Sequence, residues 1–304
     1  MRPAVSVVMA AKNYARFLPM AVASVQAQTF ADWELVIIDD GSTDDTSDAV
    51  RPFLNDERIH FTKSDLLGQS RAKNLGVRLS QGDVIAFMDA DDAWLPTKLA
   101  KQLPLLSGDV GVVHCERELI DENCLDTKCS AATSLPVAAK QIDLDAIYIA
   151  NPICFSSTMV KRIVLDHVGG FNPELDLSID YDLWLRVAKH YDIACVPEKL
   201  VLYRTGHGNL SKKLADRIAT AFSIMHRNSE GVSAAARNEA YAMTCRSMAW
   251  AVRGAEPMHA LQWYANALAW PHRRGESLRG ILGTLADRFR VGRVVSAENL
   301  SANA

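Results

Sequence analysis

The chain has 304 residues, a net charge of −3 and the composition of a globular protein, so its length allows one large domain or two. Its first residues lead directly into an apolar run that is too short to span a bilayer, and we expect neither a signal peptide nor a membrane span there. Six scattered cysteines, with no Cys-x-x-Cys pair, favour reduced thiols over a disulfide or zinc framework.

The charge is unevenly distributed. From Lys212 to the end, 13 Lys and Arg stand against 7 Asp and Glu, a net of +6, whereas residues 1–211 carry a net of −9. This asymmetry predicts two regions with different partners. The basic region has no recognisable nucleic-acid-binding motif, which argues against nucleic acid as a partner.

Apolar strands alternate with amphipathic helices in the first third of the chain. The predicted strands cover about residues 4–10, 34–38, 58–62 and 84–88, and the predicted helices cover about residues 16–28, 42–55 and 68–81. Buried strands that alternate with helices indicate an α/β fold with a mostly parallel, twisted sheet flanked by helices.

The later elements are less regular. We predict strands at 111–115, 156–160, 193–196 and 201–203, helices at 96–106 and 161–168, and a helix that begins near Asp180. Residues 119–140 lack periodicity and are interpreted as a loop or strand excursion over the site. The remainder, from residue 212, is expected to be an α-helical C-terminal extension.

Acidic residues follow two of the predicted strands. Asp39 and Asp40 end the second strand, and Asp89, Asp91 and Asp92 follow the fourth. Ligands of parallel sheets bind beyond the carboxyl ends of the strands, so both groups are expected at one edge of the sheet. Like charges this close repel one another, and a divalent cation relieves that repulsion. The alternative is a solvated acidic turn in which Asp92 caps the next helix.

Seven segments, in this order, resemble inverting glycosyltransferases of family 2, which have a GT-A fold. The resemblance covers about residues 4–211, and its segments are 5–10, 33–44, 68–76, 82–92, 169–171, 180–186 and 203–211. It implies a metal-dependent enzyme that transfers a sugar from a nucleotide-diphosphate sugar to an acceptor hydroxyl. The helical region after residue 211 is additional to this pattern.

The resemblance implies a role for each acidic residue at the edge. Asp40 would accept a hydrogen bond from the nucleotide base, with Asp39 supporting the same loop. Asp89 would face the ribose or the metal, and Asp91 would bind the Mg²⁺ or Mn²⁺ ion that bridges the donor diphosphate. His207 is expected near that ion. The other expected donor-nucleotide contacts are Ala10, Asn13, Arg71, Lys73 and Ala90.

Asp180 is the expected general base for the acceptor hydroxyl. We choose it over Asp182, because Asp182 lies one position before the apolar face of the helix and suits a cap in the first turn. The helix dipole favours an ionised carboxylate at this end. The chain departs from the family pattern at Ile179, where many relatives have Glu, and at Ala11-Lys12-Asn13, where a Thr-Tyr-Asn type turn is usual. It also departs around Arg71 and Lys73, which leaves open which of these two cations reaches the donor phosphates.

The resemblance also implies a domain organisation. Residues 1–211 would form the catalytic domain, with a nucleotide-sugar half at about 1–110 and an acceptor half at about 111–211, and residues 212–304 the basic helical region. We expect a UDP-sugar donor and a saccharide or lipid-linked acceptor, in bacterial cell-surface polysaccharide or glycolipid biosynthesis.

Six Arg alternate with apolar residues between positions 271 and 293. Such a helix either lies on an anionic membrane or forms a solvated cap or a contact between copies of a homo-oligomer. We expect a cytoplasmic protein, and the first alternative would bind it peripherally to the inner face of the membrane.

Two other functions are compatible with acidic residues at the edge of an α/β sheet. A sugar nucleotidyltransferase would need a glycine-rich phosphate loop after the first strand, but residues 10–13 contain no glycine. A non-catalytic scaffold that retains the fold is an alternative outside these two, favoured if substitution of Asp91 or Asp180 leaves cellular glycan unchanged. A phospho-acceptor signalling domain would have its Asp pair after the first strand. It would also leave Asp180 and residues 203–211 without a role.

Overall fold

A computed structural model describes residues 2–124, 140–206 and 214–301, with the backbone alone for residues 140, 141 and 288–301. The chain folds as two compact units, Met1–Leu144 with Pro152–Asn209, and Asp145–Asn151 with Leu210–Ala304. The first unit contains the β-sheet, and the second is helical. Most of the predicted loop at 119–140, namely residues 125–139, lies outside the described residues.

Nine strands of the described chain form one mixed sheet in the order β3, β2, β1, β4, β8, β6, β9, β5, with β7 paired to β9. The strands β1 to β4 pair in parallel, as do β6 and β9, and the other pairs are antiparallel. The strands are β1 Val5–Ala11, β2 Trp33–Asp40, β3 Ile59–Ser64, β4 Val84–Asp89, β5 Ala93–Trp94, β6 Val110–Ile120, β7 Lys140–Ile142, β8 Met159–Lys161 and β9 Asp192–Arg204.

Helices flank the sheet and form the C-terminal region, which confirms the predicted fold class. They are α1 Leu18–Gln26, α2 Thr46–Val50, α3 Gln69–Leu79, α4 Lys98–Gln102, α5 Leu144–Ile149, α6 Arg162–Val168, α7 Ile179–Ala188, α8 Leu214–Arg227, α9 Ala234–Val252, α10 Pro257–Leu268 and α11 Arg274–Ser301. Among the helices in the described ranges, none combines the length and hydrophobicity needed to traverse a bilayer.

The centre of the sheet is apolar on both faces. The side chains of β1, β2 and β4 are almost entirely buried, as expected for parallel strands covered by helices. Helix α3 packs so closely on β1 that a Cβ atom at Gly76 would lie 2.5 Å from the Cγ1 atom of Val8. Glycine at this position therefore lets α3 approach the sheet closely. Residues 73 and 74, about one turn earlier in the helix, are brought near the sheet by the same close packing.

The structure corrects two expectations. The strands predicted at 193–196 and 201–203 are one strand, β9, because its pairing with β6 continues past Pro197 through a register shift. Cys115, Cys154, Cys195 and Cys245 are buried and form no disulfide, but Cys124 is disulfide-bonded. Spacing along a sequence does not reveal which thiols meet in space, so the expectation of reduced cysteines throughout was wrong.

Lys98, at the start of α4, is a buried cation. It is 0% exposed, and its Nζ atom has no hydrogen-bond partner within the described chain. The ammonium group lies 4.0 Å from the centre of the Trp94 ring, a contact that stabilises a cation only partly. Burial disfavours the charged form and lowers the pKa of Lys98 from 10.5 to about 8.

Replacing this cation should stabilise the protein. We expect Lys98→Met to raise the free energy of unfolding at neutral pH by roughly 2–3 kcal/mol, because methionine fills a similar volume without a charge. Between pH 8 and 10.5 the unfolded chain binds more protons at this position than the folded chain, so the stability of the unsubstituted protein rises with pH. The advantage of the variant should therefore shrink across that window.

Urea denaturation near neutral pH and near the upper end of that window measures both effects. Lys101→Met, on the same helix, is the matched control, because Lys101 is partly exposed and paired with Glu198; it should give no stabilisation. An advantage of Lys98→Met that stays constant with pH would contradict the assignment of the effect to the buried charge.

Candidate active site

The ends of β1, β2 and β4 meet at one edge of the sheet. In the parallel registers Ala10 is paired with Asp89, and Ala11 with Asp39. The two acidic groups that are 50 residues apart in sequence therefore lie on either side of the end of β1. The rule for parallel sheets places a ligand beyond this edge.

Asp39 and Asp40 are buried and bonded to nearby loops. The Oδ1 atom of Asp40 accepts from the main-chain N–H of Leu67 at 2.6 Å and from the hydroxyl of Ser64 at 3.1 Å, and its Oδ2 atom accepts from the N–H of Gly68 at 3.0 Å. Asp39 accepts from the N–H of Ser42 at 3.0 Å. In this structure both carboxylates thus fix the loops that follow β2 and β3.

Asn13 lies in the turn after β1 and joins it to the loop after β2. Its Oδ1 atom accepts from the N–H of Thr43 at 2.8 Å, and its own N–H donates to the hydroxyl of Ser42 at 2.9 Å. Asn13 has φ 60°, a left-handed conformation in which asparagine is enriched. The turn after β1 and the loop after β2 are therefore bonded to each other at the edge of the sheet where a ligand is expected.

Asp89, Asp91 and Asp92 form a carboxylate cluster at the end of β4. One oxygen from each lies within 4.8 Å of the others, the arrangement of a metal-binding group, found only here among the described residues. Burial raises the pKa of Asp92, and the charges of Asp91 and Asp89 raise it further. Burial also raises the pKa of Asp89, Lys73 lowers it, and Asp91 and Asp180 raise it. The cluster therefore disfavours three ionised carboxylates unless positive charge is present.

Lys73 of α3 supplies one positive charge. Its Nζ atom donates to the Oδ1 atom of Asp89 at 2.9 Å and lies 3.7 Å from the centre of the Phe155 ring. The side chain of Lys73 is only 5% exposed, whereas that of Arg71 is 57% exposed and lies 3.8 Å from Glu174. The structure thus places Lys73, and not Arg71, beside the carboxylate cluster.

Two residues that sequence reasoning missed hold the cluster in place. The hydroxyl of Ser156 donates to the Oδ2 atom of Asp92 and accepts from the N–H of Asp89 at 3.0 Å. The main-chain N–H of Arg204 donates to the Oδ1 atom of Asp92 at 2.9 Å. Asp92 therefore does not cap the following helix, whose N-cap is Thr97. No local pattern marks Ser156, because its contacts depend on the pairing of β4 with β8.

Two tyrosines lie near the cluster and were also missed. Burial raises the pKa of Tyr14, and the charges of Asp91, Asp89 and Asp92 raise it further. The pKa of Tyr203 is raised in the same way, first by burial and then by Asp92. Both phenols therefore stay protonated and can donate hydrogen bonds beside the carboxylates.

Asp180 and Asp182 have different surroundings at the N-terminus of α7. Asp182 is buried, and its Oδ2 atom accepts from the Nε atom of Arg186 at 2.9 Å. Arg186 also donates to the carbonyl groups of Val168 and Gly170 at 2.6 and 2.7 Å. Asp182 is therefore part of a structural ion pair. Asp180 is partly exposed, and its charge contributes to the raised pKa of Asp89.

The site can hold a divalent cation and a phosphate group. Clustered carboxylate oxygens are the ligands that Mg²⁺ and Mn²⁺ prefer, and a cation would relieve the repulsion that raises the pKa values. Lys73 provides a point charge for a phosphate. Asp180 provides a carboxylate at a helix N-terminus, where the dipole favours the ionised form. His207, the third predicted metal ligand, lies outside the described residues.

Comparisons with known proteins identify relatives of this chain. The model of the family described as "Glycosyl transferase family 2" matches residues 6–168. An uncharacterised glycosyltransferase of Nostoc sp. is 36% identical over 176 residues, which are 56% of this chain and 54% of that protein, so the chain spans about half of its length. The UDP-Glc:alpha-D-GlcNAc-diphosphoundecaprenol beta-1,3-glucosyltransferase WfgD of Escherichia coli is 28% identical over 194 residues, 63% of this chain and 72% of that protein.

Solved structures share the fold over nearly the whole chain. S. aureus TarS 1-349 in complex with UDP-GlcNAc aligns with a TM-score of 0.67 and 14% identity, covering 96% of this chain and 92% of that one. The mannosyltransferase PcManGT from Pyrobaculum calidifontis, in complex with GDP-Man and Mn²⁺, aligns with a TM-score of 0.60 and 21% identity, covering 98% and 85%. The predicted GT-A fold is confirmed.

The contacts of Asp40 predict a structural cost on its removal. Asp40→Ala should lower the free energy of unfolding by about 3 kcal/mol, because two main-chain N–H groups and one hydroxyl lose a charged acceptor. Asp65→Ala is the matched control, since Asp65 is an exposed residue of the loop after β3 that Asp40 bonds, and its loss should change stability by less than about 0.5 kcal/mol. Chemical denaturation measures both, and equal stability of the two variants would contradict the structural role of Asp40.

Proposed function

Because the chain belongs to glycosyl transferase family 2, we propose that it transfers a hexose from a nucleotide-diphosphate sugar to an acceptor hydroxyl, in a metal-dependent reaction that inverts the anomeric centre. The observation that carries this proposal is the carboxylate cluster of Asp89, Asp91 and Asp92, whose oxygens lie within 4.8 Å of one another. Lys73 and Asp180 beside it supply the other charges that such a reaction needs.

The proposed cofactor is Mg²⁺ or Mn²⁺, held by Asp91 and Asp89. This choice of cofactor is supported by the carboxylate oxygens at the end of β4, which are suitable metal ligands, and by the Mn²⁺ present in PcManGT, a structure of the same fold. His207 remains a proposed third ligand. When bound, the cation neutralises charge that develops on the departing diphosphate.

The donor is proposed to bind along the ends of β1, β2 and β4. Ala10, Asn13 and Asp39 would form the nucleotide side of the site, with Ala90 and Asp89 facing the ribose. Within the described residues the Oδ2 atom of Asp40 accepts one hydrogen bond, from the N–H of Gly68, which leaves a lone pair for a base N–H. Lys73 is proposed for the phosphates in preference to Arg71, because it contacts Asp89. A UDP-sugar is favoured, since UDP-GlcNAc is bound in TarS and WfgD is named for UDP-Glc.

Asp180 is proposed as the general base. A hydroxyl is a weak nucleophile until a carboxylate within hydrogen-bond reach takes its proton in the transition state. Inversion requires one displacement, in which the acceptor oxygen attacks the face opposite the leaving diphosphate, so one base suffices. Asp182 is unsuited to this role because Arg186 holds its carboxylate in an ion pair.

A lipid-linked saccharide is the proposed acceptor, in the biosynthesis of a bacterial cell-surface polysaccharide or glycolipid. This proposal is supported by WfgD and WfaP, two E. coli relatives whose names specify alpha-D-GlcNAc-diphosphoundecaprenol. We retain residues 1–110 as the proposed donor half, 111–211 as the acceptor half, and 212–304 as the region that meets the acceptor's membrane.

Helix α11 has the surface for such a contact. Leu278 and Leu282 lie one turn apart and are 51% and 67% exposed, and Arg274 and Arg279 beside them are exposed too. The opposite face packs inward, since Ser277 and Thr284 are buried. Apolar side chains between arginines fit the headgroup region of an anionic membrane, where each basic residue contributes roughly 1 kcal/mol. We therefore propose peripheral binding at the inner face of the membrane.

The catalytic proposal predicts that two substitutions separate binding from chemistry. Asp91→Ala should abolish the metal-dependent rise in melting temperature that a UDP-, GDP- or dTDP-linked sugar produces. Asp180→Asn should keep that rise but lower the turnover number about 10²–10⁴-fold, the usual contribution of a general base. Differential scanning fluorimetry and a sugar-transfer assay with a polyprenyl-diphosphate saccharide measure the two effects.

Asp182→Asn is the matched control for the base. It should lower thermal stability by weakening the ion pair with Arg186, while the folded enzyme keeps most of its turnover. The assignment of Asp180 fails if Asp182→Asn abolishes transfer and Asp180→Asn does not. The metal–donor site fails if none of the sugar nucleotides, with Mn²⁺ or Mg²⁺, stabilises the unsubstituted protein.

The membrane proposal predicts that Leu278→Glu/Leu282→Glu weakens binding to vesicles of equimolar phosphatidylglycerol and phosphatidylcholine at least about tenfold, because apolar burial is lost and anionic charge is added. Ile163→Glu is the control, since Ile163 is 68% exposed but lies in the first compact unit. Vesicle cosedimentation measures the affinity. The unsubstituted protein could fail to bind vesicles while the double variant differs from it in oligomeric mass. In that case α11 is a contact between copies of the chain and the membrane proposal is wrong.

A further inference from the structure

We infer that Arg204, the last residue of β9, is a positioning residue that holds the metal-binding turn at residues 91–92 in its working geometry. This inference rests on the proposed function, because it assigns Arg204 a task toward the proposed metal site. Arg204 lies beyond residue 168, where the match to the family model ends. No local sequence feature besides the segment 203–211 draws attention to it.

Arg204 is almost completely buried, at 1% exposure. Its Nε atom donates to the carbonyl oxygen of Asp91 at 2.8 Å. Its Nη1 atom donates to the carbonyl oxygens of Asp121, at 2.9 Å, and Cys124. Since its main-chain N–H also bonds the carboxylate of Asp92, a single residue contacts both members of the turn.

The guanidinium group also has apolar supports. Its central carbon lies 4.6 Å from the centre of the Phe17 ring, and its Nη2 atom lies 3.1 Å from the sulfur of Met20. The ring and the thioether fix the plane of the guanidinium, and the carbonyl oxygens fix its direction. A buried arginine held in this way has lost its rotamer freedom during folding, so it can orient the turn without further ordering on ligand binding.

The contacts join three parts of the chain that are distant in sequence. The turn after β4, the end of β6 and the region of α1 all meet at Arg204. The bond to Asp91 uses its main-chain carbonyl oxygen, so the guanidinium fixes the backbone and does not consume the carboxylate that is proposed to bind the cation. This is the function of an outer residue that orients a metal ligand, and removal of such residues typically weakens metal affinity about 10–100-fold.

Only arginine provides this set of bonds. Lysine has one nitrogen at the end of a flexible stem and cannot donate to the carbonyl groups of Asp91, Asp121 and Cys124 with the planar geometry of a guanidinium. Glutamine is uncharged and shorter. Arg204→Lys is therefore expected to keep the charge but lose the geometry, and Arg204→Gln to lose both.

Arg162 offers a matched control at the other end of the sheet. It is a partly buried arginine whose Nε, Nη1 and Nη2 atoms donate to the carbonyl oxygens of Gly82 and Val77 and to the hydroxyl of Ser80, at 2.7–2.9 Å. Gly82 precedes β4, whereas the carboxylate cluster follows it. Arg162→Lys and Arg162→Gln thus remove a similar hydrogen-bond set far from the proposed metal site.

The test measures Mn²⁺ affinity in the presence of UDP, from the electron paramagnetic resonance signal of free Mn²⁺, for the unsubstituted protein and the four variants. Urea denaturation of each provides the loss of stability. We expect Arg204→Gln to raise the Mn²⁺ dissociation constant at least about tenfold and Arg204→Lys about fivefold or more. The Arg162 variants should lose comparable stability and change the dissociation constant less than about twofold.

Each other outcome is decisive. If the unsubstituted protein binds no Mn²⁺ with UDP, the proposed metal site itself fails. If it binds Mn²⁺ and the folded Arg204 variants bind it equally well, or if the Arg162 variants lose as much affinity, Arg204 has no specific role toward the metal. If neither Arg204 variant folds while both Arg162 variants do, Arg204 is an element of stability and the positioning role is rejected.

Discussion

The repulsion among the carboxylates at the end of β4 is the constraint on which the site depends. Three acidic side chains with oxygens within 4.8 Å of one another would separate if nothing held them. Lys73 from α3 bonds Asp89, Ser156 bonds Asp92, and Arg204 at the end of β9 bonds both Asp92 and the carbonyl group of Asp91. The three carboxylates can therefore stay close together only when the folded sheet has brought α3, Ser156 and the end of β9 next to the turn after β4.

The architecture could be predicted because its signals are local. Apolar runs mark β1, β2 and β4, and the parallel-sheet rule then places Asp39, Asp40 and Asp89 at one edge. The roles of Ser156 and Arg204 could not be predicted, since they arise from the pairing of strands that are far apart in sequence. The same limit explains the error at β9, where a long pairing with β6 overrides the break that Pro197 suggests.

The structure bears on two choices between residues that lie two positions apart on one helix. Arg71 and Lys73 lie on the same helix, and sequence reasoning left open which of them reaches the phosphates. The contact of Lys73 with Asp89, against the exposed position of Arg71 beside Glu174, separates them in space. Asp180 and Asp182 are distinguished in the same way, because Arg186 pairs with Asp182. Tertiary contacts thus separate Arg71 from Lys73, which sequence reasoning did not, and they change the reason for setting Asp182 aside, because it is in an ion pair with Arg186 and the N-cap of the helix is Ser178.

Helix α3 carries two adjacent contacts that point to different parts of the site. Lys73 bonds Asp89, and the amide of Asn74 exchanges two hydrogen bonds with the main chain of Phe171, at 2.8 and 2.9 Å, in the segment that leads to Asp180. A single-residue insertion between Gly68 and Lys73 would rotate both side chains by about 100° around the helix axis and break both contacts at once. Length changes among homologous chains should therefore collect in the loops on either side of α3, and a sequence alignment that opens a gap inside this helix is misplaced.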